Sequence, residues 1–406
     1  MSSPIASSTA ANDFVARIHA SGMRLVMAVT GGGSQAISTL LGVPGASRSV
    51  LAAEVPYSSA ALAEWLRSRP ENFCSEHTAR LMAMAAYEQA VRLATAEGGA
   101  APVAGIACTA SLVSDRPKRG AHRVHVAAQT AGVTTVASLE LIKGTRDRHS
   151  EEDLAARFLL NMVAQGCGLT DRLPLALKAP ECVVENGTVA PAAWKALFVG
   201  ETNHVLAVPA PAENESAGAT VTADRTAAPK VVFPGAFHPL HAAHRTMAEV
   251  AAARLNAPVD WEISIANVDK PPLDFHEMRL RSAQFASTEP GLPPMRLWFT
   301  RAPTFVEKAA IFPGATFVVG VDTVERIAQA RYYGDDPQAC QAALEAIAAA
   351  GCRFLVFGRK AEKCFDTLAD LRLPPALRAI CDEVSEADFR HDLSSTELRG
   401  AEIVDA

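Results

Sequence analysis

The chain has 406 residues, 38 Lys and Arg against 44 Asp and Glu, and a net charge of −6. With 49% hydrophobic and 20% charged residues it cannot be a disordered chain, and its length suits two or three domains of roughly 100–200 residues each. The mild acidity argues against a nucleic-acid binder that neutralises many phosphates, and no run reaches the about 18 consecutive apolar residues of a membrane span. The first ten residues, MSSPIASSTA, carry neither a basic nor an apolar leader region, so no secretory signal is expected. Eight scattered cysteines form no C-x-x-C pair, which fits free thiols in a reducing cytoplasm.

In the first half, Arg24–Thr30 is a short apolar run ending at Gly31-Gly32-Gly33, a strand followed by a turn. Ser75 to Thr95 has apolar residues at helical spacing, with Ser75 as its cap. Pro102–Ala107 and Val124–Ala128 read as strands and Glu151–Val163 as a second long helix. Cys182–Asn186, Gly187 and Thr188–Ala190 predict a small hairpin turned at Asn-Gly. Residues 209–229, rich in Ala, Pro, Thr and Glu with no aromatic residue, read as a linker.

After it come strands at Val231–Phe233, Trp261–Val268, Met295–Thr300, Thr316–Val321 and Arg353–Phe357, with helices between them, among them Leu240–Leu255 and Phe275–Phe285. Strands alternating with helices predict an α/β protein built of two α/β/α domains around parallel sheets. Ligands then sit at the carboxyl ends of strands, where strand order reverses.

Three histidines fall at such an end: His238, His241 and His244 follow Val231–Phe233 and open a predicted helix. Gly235 permits a sharp turn, and Pro239 fixes the loop ahead of the helix. Imidazoles three residues apart at a helix N-terminus make a phosphate site, where protonated histidine neutralises charge. A zinc site or a surface cluster are the other readings of these residues. Near the end, His391-Asp392-Leu393-Ser394-Ser395-Thr396-Glu397-Leu398-Arg399 sets hydroxyls one turn ahead of an arginine, a second arrangement suited to phosphate oxygens.

GAFHPLHAAH and LSSTELR together resemble the two signatures of the nucleotidylyltransferase superfamily over about 231–400. Asn267-Val268-Asp269-Lys270-Pro271-Pro272-Leu273 and Val319-Gly320-Val321-Asp322 resemble its nicotinamide mononucleotide adenylyltransferase branch. The resemblance implies a Rossmann-like C-terminal domain that transfers a nucleotidyl group, adenylyl above all, from ATP or another NTP with Mg²⁺ to a phosphorylated acceptor, releasing pyrophosphate. It implies catalytic roles for His241, His244, Lys270 and Arg399. It implies nucleotide contacts from Gly235, Phe237, His238, Gly320, Asp322, Ser394, Ser395 and Thr396. The chain departs from the pattern at His238, where Asp or Asn is usual, and at Ala243, where Gly is common. Tyr332 or Tyr333 stands in for a ring-stacking Trp.

Over about 10–168 the first half resembles the C-terminal domain of competence-damage-inducible (CinA) proteins, a family that deamidates nicotinamide mononucleotide. The likeness rests on Thr30-Gly31-Gly32, on Val55-Pro56-Tyr57-Ser58, on Val103–Ala107 and on Gly144–Arg148. The family's nucleophilic Ser aligns with Ala28 and its Lys with Leu62, so the catalytic pair is lost. Thr30, Gly31, Gly32 and Tyr57 are left to line a pocket, and Arg116, Lys118, Arg119, His122 and Arg123 form a basic loop after a strand. The expected organisation is a CinA-like domain at 10–170, a connection at 171–208, the linker, and a transferase domain at 230–403. The first domain then serves as a non-catalytic nucleotide-binding or dimer-forming module of a cytoplasmic enzyme that acts on small nucleotides, without nucleic-acid or membrane partners. Two rivals are a deamidating hydrolase using Ser34 or Thr30, and a nucleotide-binding scaffold that forms no pyrophosphate.

Overall fold

The computed structural model describes residues 8–99, 101–116, 119–207, 229–286, 295–360 and 365–389. The chain forms two compact units, one of residues 1–191 with Asp269–His276, the other of Ala192–Val268 with 277–406. The protein is α/β in both.

The first unit runs α1 (Ser8–Ala20), β1 (Arg24–Thr30), α2 (Gln35–Leu41), β2 (Val50–Glu54), α3 (Ser59–Trp65), α4 (Glu76–Ala96), β3 (Val103–Ser111), β4 (His122–Thr130), β5 (Val133–Leu141), α5 (Arg148–Gly166) and β6 (Val183–Val189). The sheet order is β2-β1-β3-β4-β5-β6. β1 pairs in parallel with both β2 and β3. It is buried over its last six residues, as a strand covered on both faces must be. α4 begins where the capping residue predicts: Ser75 Oγ accepts from Thr78 N at 3.2 Å.

Two expectations fail here. The sheet is parallel only at β2-β1-β3, because β3, β4, β5 and β6 follow one another antiparallel. The turns between β3, β4 and β5 are too short for the crossover a parallel pair needs. The expected hairpin at 182–190 is instead one continuous strand, β6. Asn186 and Gly187 pair with Val136 and Thr135 of β5, so the long free edge of β5 satisfies the backbone that a turn would have left open.

The second unit runs α6 (Ala192–Val199), β7 (His204–Ala207), β8 (Val231–Pro234), α7 (Ala242–Leu255), β9 (Val259–Ser264), α8 (Phe275–Ala283), β10 (Leu297–Thr300), α9 (Phe305–Ile311), β11 (Thr316–Gly320), α10 (Val321–Ile327), α11 (Pro337–Ala349), β12 (Arg353–Phe357), a short β13 (Arg359–Lys360) and β14 (Phe365–Asp366) pair, α12 (Pro375–Arg378) and β15 (Cys381–Val384). The sheet order is β15-β12-β11-β8-β9-β10-β7, parallel throughout except β7, which runs antiparallel on β10. The chain goes outward from β8 through β9 to β10, then restarts on the other side at β11. Strand order therefore reverses at the β8/β11 boundary. α6 and β7 precede residues 209–229 in the chain, yet belong to this second unit. One face of the sheet is packed by Val232, Phe317, Val319, Phe354 and Val356 with Phe312, Leu344 and Ile347. In the interior Glu262 of β9, fully buried, takes Lys308 of α9 at 2.7 and 2.8 Å and the Thr300 hydroxyl of β10.

Candidate functional site

The carboxyl end of β8 carries the histidine turn. Gly235 N donates to Glu262 O at 2.9 Å. Phe237, in a left-handed conformation (φ 43°), folds back so that a Cβ on Gly235 would lie 2.6–3.0 Å from its ring. The glycine is required by that close approach. The Phe237 ring is 2% exposed and meets Phe233, Trp261, Phe285 and His244 edge-on at 5.1–5.5 Å, the arrangement aromatic quadrupoles favour. α8 and Gln284, the residue after it, pin the turn from outside: Arg281 Nη1 donates to Ala236 O at 3.2 Å, Gln284 Nε2 to Phe237 O at 3.1 Å, and Leu240 N to Gln284 Oε1 at 2.7 Å. Phe237 therefore works as the wedge that sets the turn from within.

His241 is the N-cap of α7, extended rather than inside the first turn as its sequence position predicts, and His244 is the third helical residue. The two rings still meet, stacked at 3.7 Å and 23°. His241 N donates to His244 Nδ1 at 3.3 Å, which leaves the neutral ring's proton on Nε2. Burial first, and the neighbouring His241 second, lower the His244 pKa from 6.5 to about 4. At neutral pH, in the absence of an anion, this imidazole is a hydrogen-bond donor and not a cation. The expectation of a protonated His244 therefore holds only once a negative ligand raises its pKa. His238 is exposed beside a cis His238–Pro239 bond.

β11 is the strand across the reversal, and at its carboxyl end Gly320 caps α10 while exposed Asp322 pairs with Arg359. The same end of the sheet holds a cavity of about 180 Å³ lined by Thr304, Phe305, Thr323, Arg326, Tyr332 and Tyr333 among others. Arg331 lies over the Tyr332 ring at 4.5 Å and Arg326 at 5.6 Å, and Arg326 Nε donates to Tyr332 Oη at 3.0 Å. Lys270 is half-buried in the segment counted with the first unit. Ser394, Ser395, Thr396 and Arg399 lie outside the described residues, as do Lys118 and nearly all of the expected linker. Among the described residues no group of three His, Cys, Asp or Glu could hold a metal ion, and seven cysteines are free thiols. Among the described residues no helix is long and apolar enough to cross a membrane.

In the first unit, Thr30 is 8% exposed and Tyr57 68%. Gly31 (φ 77°) backs onto β3 so closely that a Cβ would lie 1.9 Å from Ala110 O. The amides of the glycine turn already have an internal anion. Glu152 of α5 accepts from Gly33 N (3.0 Å), Ser34 Oγ (2.9 Å) and Gln35 N (3.2 Å), and Arg148 Nη2 donates to Gly31 O at 3.0 Å. The basic loop is partly spoken for as well, since His122 Nδ1 lies 2.8 Å from Glu151 Oε1. Ala28 and Leu62 sit 0% and 1% exposed in an apolar cluster with Leu66, Met82 and Val136, edged by Trp65 and Phe73. A cavity of about 710 Å³ opens near the end of β2, where Glu88 pairs with Arg67 at 2.7 Å and Gln89 Nε2 donates to Glu54 at 2.9 Å.

Solved structures similar to this chain are competence-damage (CinA) superfamily proteins that match about two fifths of it. One from Escherichia coli is 21% identical, with 40% of this chain and 94% of that chain covered and a TM-score of 0.31. One from Agrobacterium tumefaciens is 18% identical, covering 40% and 98%, with a TM-score of 0.31. A third, from Klebsiella pneumoniae, is 18% identical, covering 40% and 99%, with a TM-score of 0.32. No protein-family model and no curated protein matches the chain.

Proposed function

We propose that the second unit transfers a nucleotidyl group, adenylyl in the first instance, from a nucleoside triphosphate to a phosphorylated acceptor, with release of pyrophosphate. The observation that carries the reading is the stacked His241–His244 pair at the N-terminus of α7, directly after β8 and at the point where strand order reverses. Such crevices are where open α/β sheets take nucleotides, and a helix N-terminus favours an anion.

In the proposed reaction an acceptor phosphate oxygen attacks the α-phosphorus in line. A new P–O bond forms, the bond to the bridging oxygen breaks, and pyrophosphate leaves with the electron pair. The protein's work is positioning and charge stabilisation. His244 Nε2–H donates to a phosphate oxygen, and the proton taken up as the polyanion binds goes to Nδ1, where it displaces the weak 3.3 Å bond from His241 N. His241 holds the second imidazole against it. By the sequence resemblance alone, Lys270, Ser394–Thr396 and Arg399 are assigned the further phosphate contacts. Magnesium enters with the triphosphate as part of the substrate. The cavity beside Tyr332 and Tyr333 suits a flat, phosphorylated acceptor, with Arg326 and Arg331 close by for its charge.

The first unit, in this reading, is a non-catalytic module. Ala28 and Leu62 hold apolar packing where amide hydrolysis needs a nucleophile and a base.

The test is a pyrophosphate-release screen with ATP and CTP against phosphorylated mononucleotides, pyridine mononucleotides included. Activity that falls by at least about 10²-fold in His241→Ala supports the reading, as for loss of one preorganised donor. Nucleotide binding without pyrophosphate from any acceptor would leave a binding scaffold instead. Ammonia release from a pyridine mononucleotide would point to the first unit.

A further inference from the structure

We infer that β6 is a dimer edge, at which two copies of the chain join their first-unit sheets by antiparallel pairing of β6 with β6. The inference is independent of the transferase reading and gives the first unit a task of its own. β6 closes the six-stranded sheet and is exposed at every position but Thr188. β2, at the opposite edge, is half-buried throughout. Antiparallel strands direct alternate N–H and C=O groups to either side. Half of those of β6 therefore face β5, and among the described residues the other half face no strand. The strand lies beyond residues 10–168, the stretch that resembles CinA proteins, so this edge belongs to what the chain adds to that domain.

The residues of β6 suit a copy of itself. Exposed edges are normally guarded by a lysine, a proline, a bulge or an inward charge. β6 has no Lys or Pro, runs on β5 without a break in register, and presents Val183, Val184 and Val189 at 36%, 53% and 74% exposure. Its one charged residue is Glu185, next to the middle of the strand. A two-fold axis through Asn186 pairs all seven residues. Asn186 then faces its own copy, Glu185 faces Gly187, Val184 faces Thr188 and Val183 faces Val189. Like charges are never directly opposed, and the β-branched residues meet one another. Moving the axis one residue earlier sets the two Glu185 carboxylates face to face. Moving it one residue later sets Pro191, which has no N–H, against Val183. The charge pattern thus singles out one register for a second copy. Seven residues a side make a small interface, which fits a dimer that forms at micromolar concentrations and above.

The experiment uses the full chain. Sedimentation velocity between about 2 and 200 µM should show a monomer giving way to a dimer. Hydrogen exchange in 183–189 should slow about threefold or more across that range, while β1 and β3 stay unchanged. Asn186→Lys sets two ammonium groups against each other on the axis and should raise the dissociation constant about fivefold or more, with the thermal midpoint of the dilute chain unchanged. Oxidative cross-linking in a Cys182→Ser background reads the register. Asn186→Cys should link two copies through residue 186, because directly opposed residues of antiparallel strands lie within disulfide reach. Val184→Cys, whose counterpart is Thr188, should not link. A monomer at every concentration, a dimer that Asn186→Lys leaves intact, or exchange in 183–189 that does not depend on concentration overturns the inference. Equal cross-linking at 184 and 186 overturns the register. If Asn186→Lys does not fold, the exchange and cross-linking arms decide.

Discussion

Nucleotide binding at the histidine turn should draw in a proton, and the size of the effect can be worked out. In the free protein the pKa of His244 is lowered to about 4 by burial and by His241. At pH 6.5 only about 0.3% of the free protein then carries the proton. A triphosphate against Nε2 opposes both causes, since a negative partner favours the charged ring. If binding restores an ordinary pKa near 6.5, about half a proton is taken up at pH 6.5, and affinity rises about tenfold, roughly 1.4 kcal/mol, between pH 7.5 and 5.5. Calorimetry of ATP binding in buffers of different ionisation enthalpy measures that uptake directly. His244→Gln keeps a donor but cannot titrate, so its proton uptake and its share of the pH dependence should vanish, leaving only the nucleotide's own titration. Equal proton uptake in wild type and His244→Gln would refute the reasoning. In the absence of nucleotide the sign reverses. The unfolded histidine titrates near 6.5 and the folded one near 4, so the unfolded chain binds more protons between those values. Stability should therefore fall as pH drops from 6.5 towards 4, by roughly 1–3 kcal/mol.

Two further outcomes test the framework that holds the turns. Lys308→Met should leave the Glu262 carboxylate buried with the Thr300 hydroxyl as its remaining bond, costing about 3–5 kcal/mol in urea unfolding. Adding Glu262→Gln should restore much of that loss, and a single-variant loss under about 1 kcal/mol would contradict the buried pair. Glu152→Ala removes the acceptor shared by Gly33 N, Ser34 Oγ and Gln35 N. A loss of about 1–3 kcal/mol is expected, chiefly from the buried Gly33 donor, with faster exchange at the Gly33 and Gln35 amides. Unchanged exchange there would mean that the carboxylate does not close the turn.

Several elements were legible from local pattern alone. β1, β8, β11 and β12 are buried on both faces, and such strands read as apolar runs. Ser75 announced α4 because a cap is a bond between residues three apart. The histidine turn was legible for the same reason: Gly235, His241 and His244 act within one stretch of ten residues. The 182–190 segment was misread because Asn-Gly is a turn signal only when no partner strand is offered, and β5 offers one. β7 was hidden because its partner β10 lies about ninety residues away. The protonation of His244 could not be read either, since burial is a property of the packed fold.

Local bonding, capping and periodicity thus specified from sequence that this is an α/β chain with a strand–turn–helix histidine motif, because those features close within a few residues. Tertiary structure alone decided what happens at long range. It set Glu152 against a glycine turn 118 residues away, joined Glu262 to Lys308, and assigned Asp274 to Arg80 across 194 residues. These are pairings of charge with charge or with amide dipoles, and in a folded interior their partners are chosen by desolvation and geometry, which no local pattern encodes.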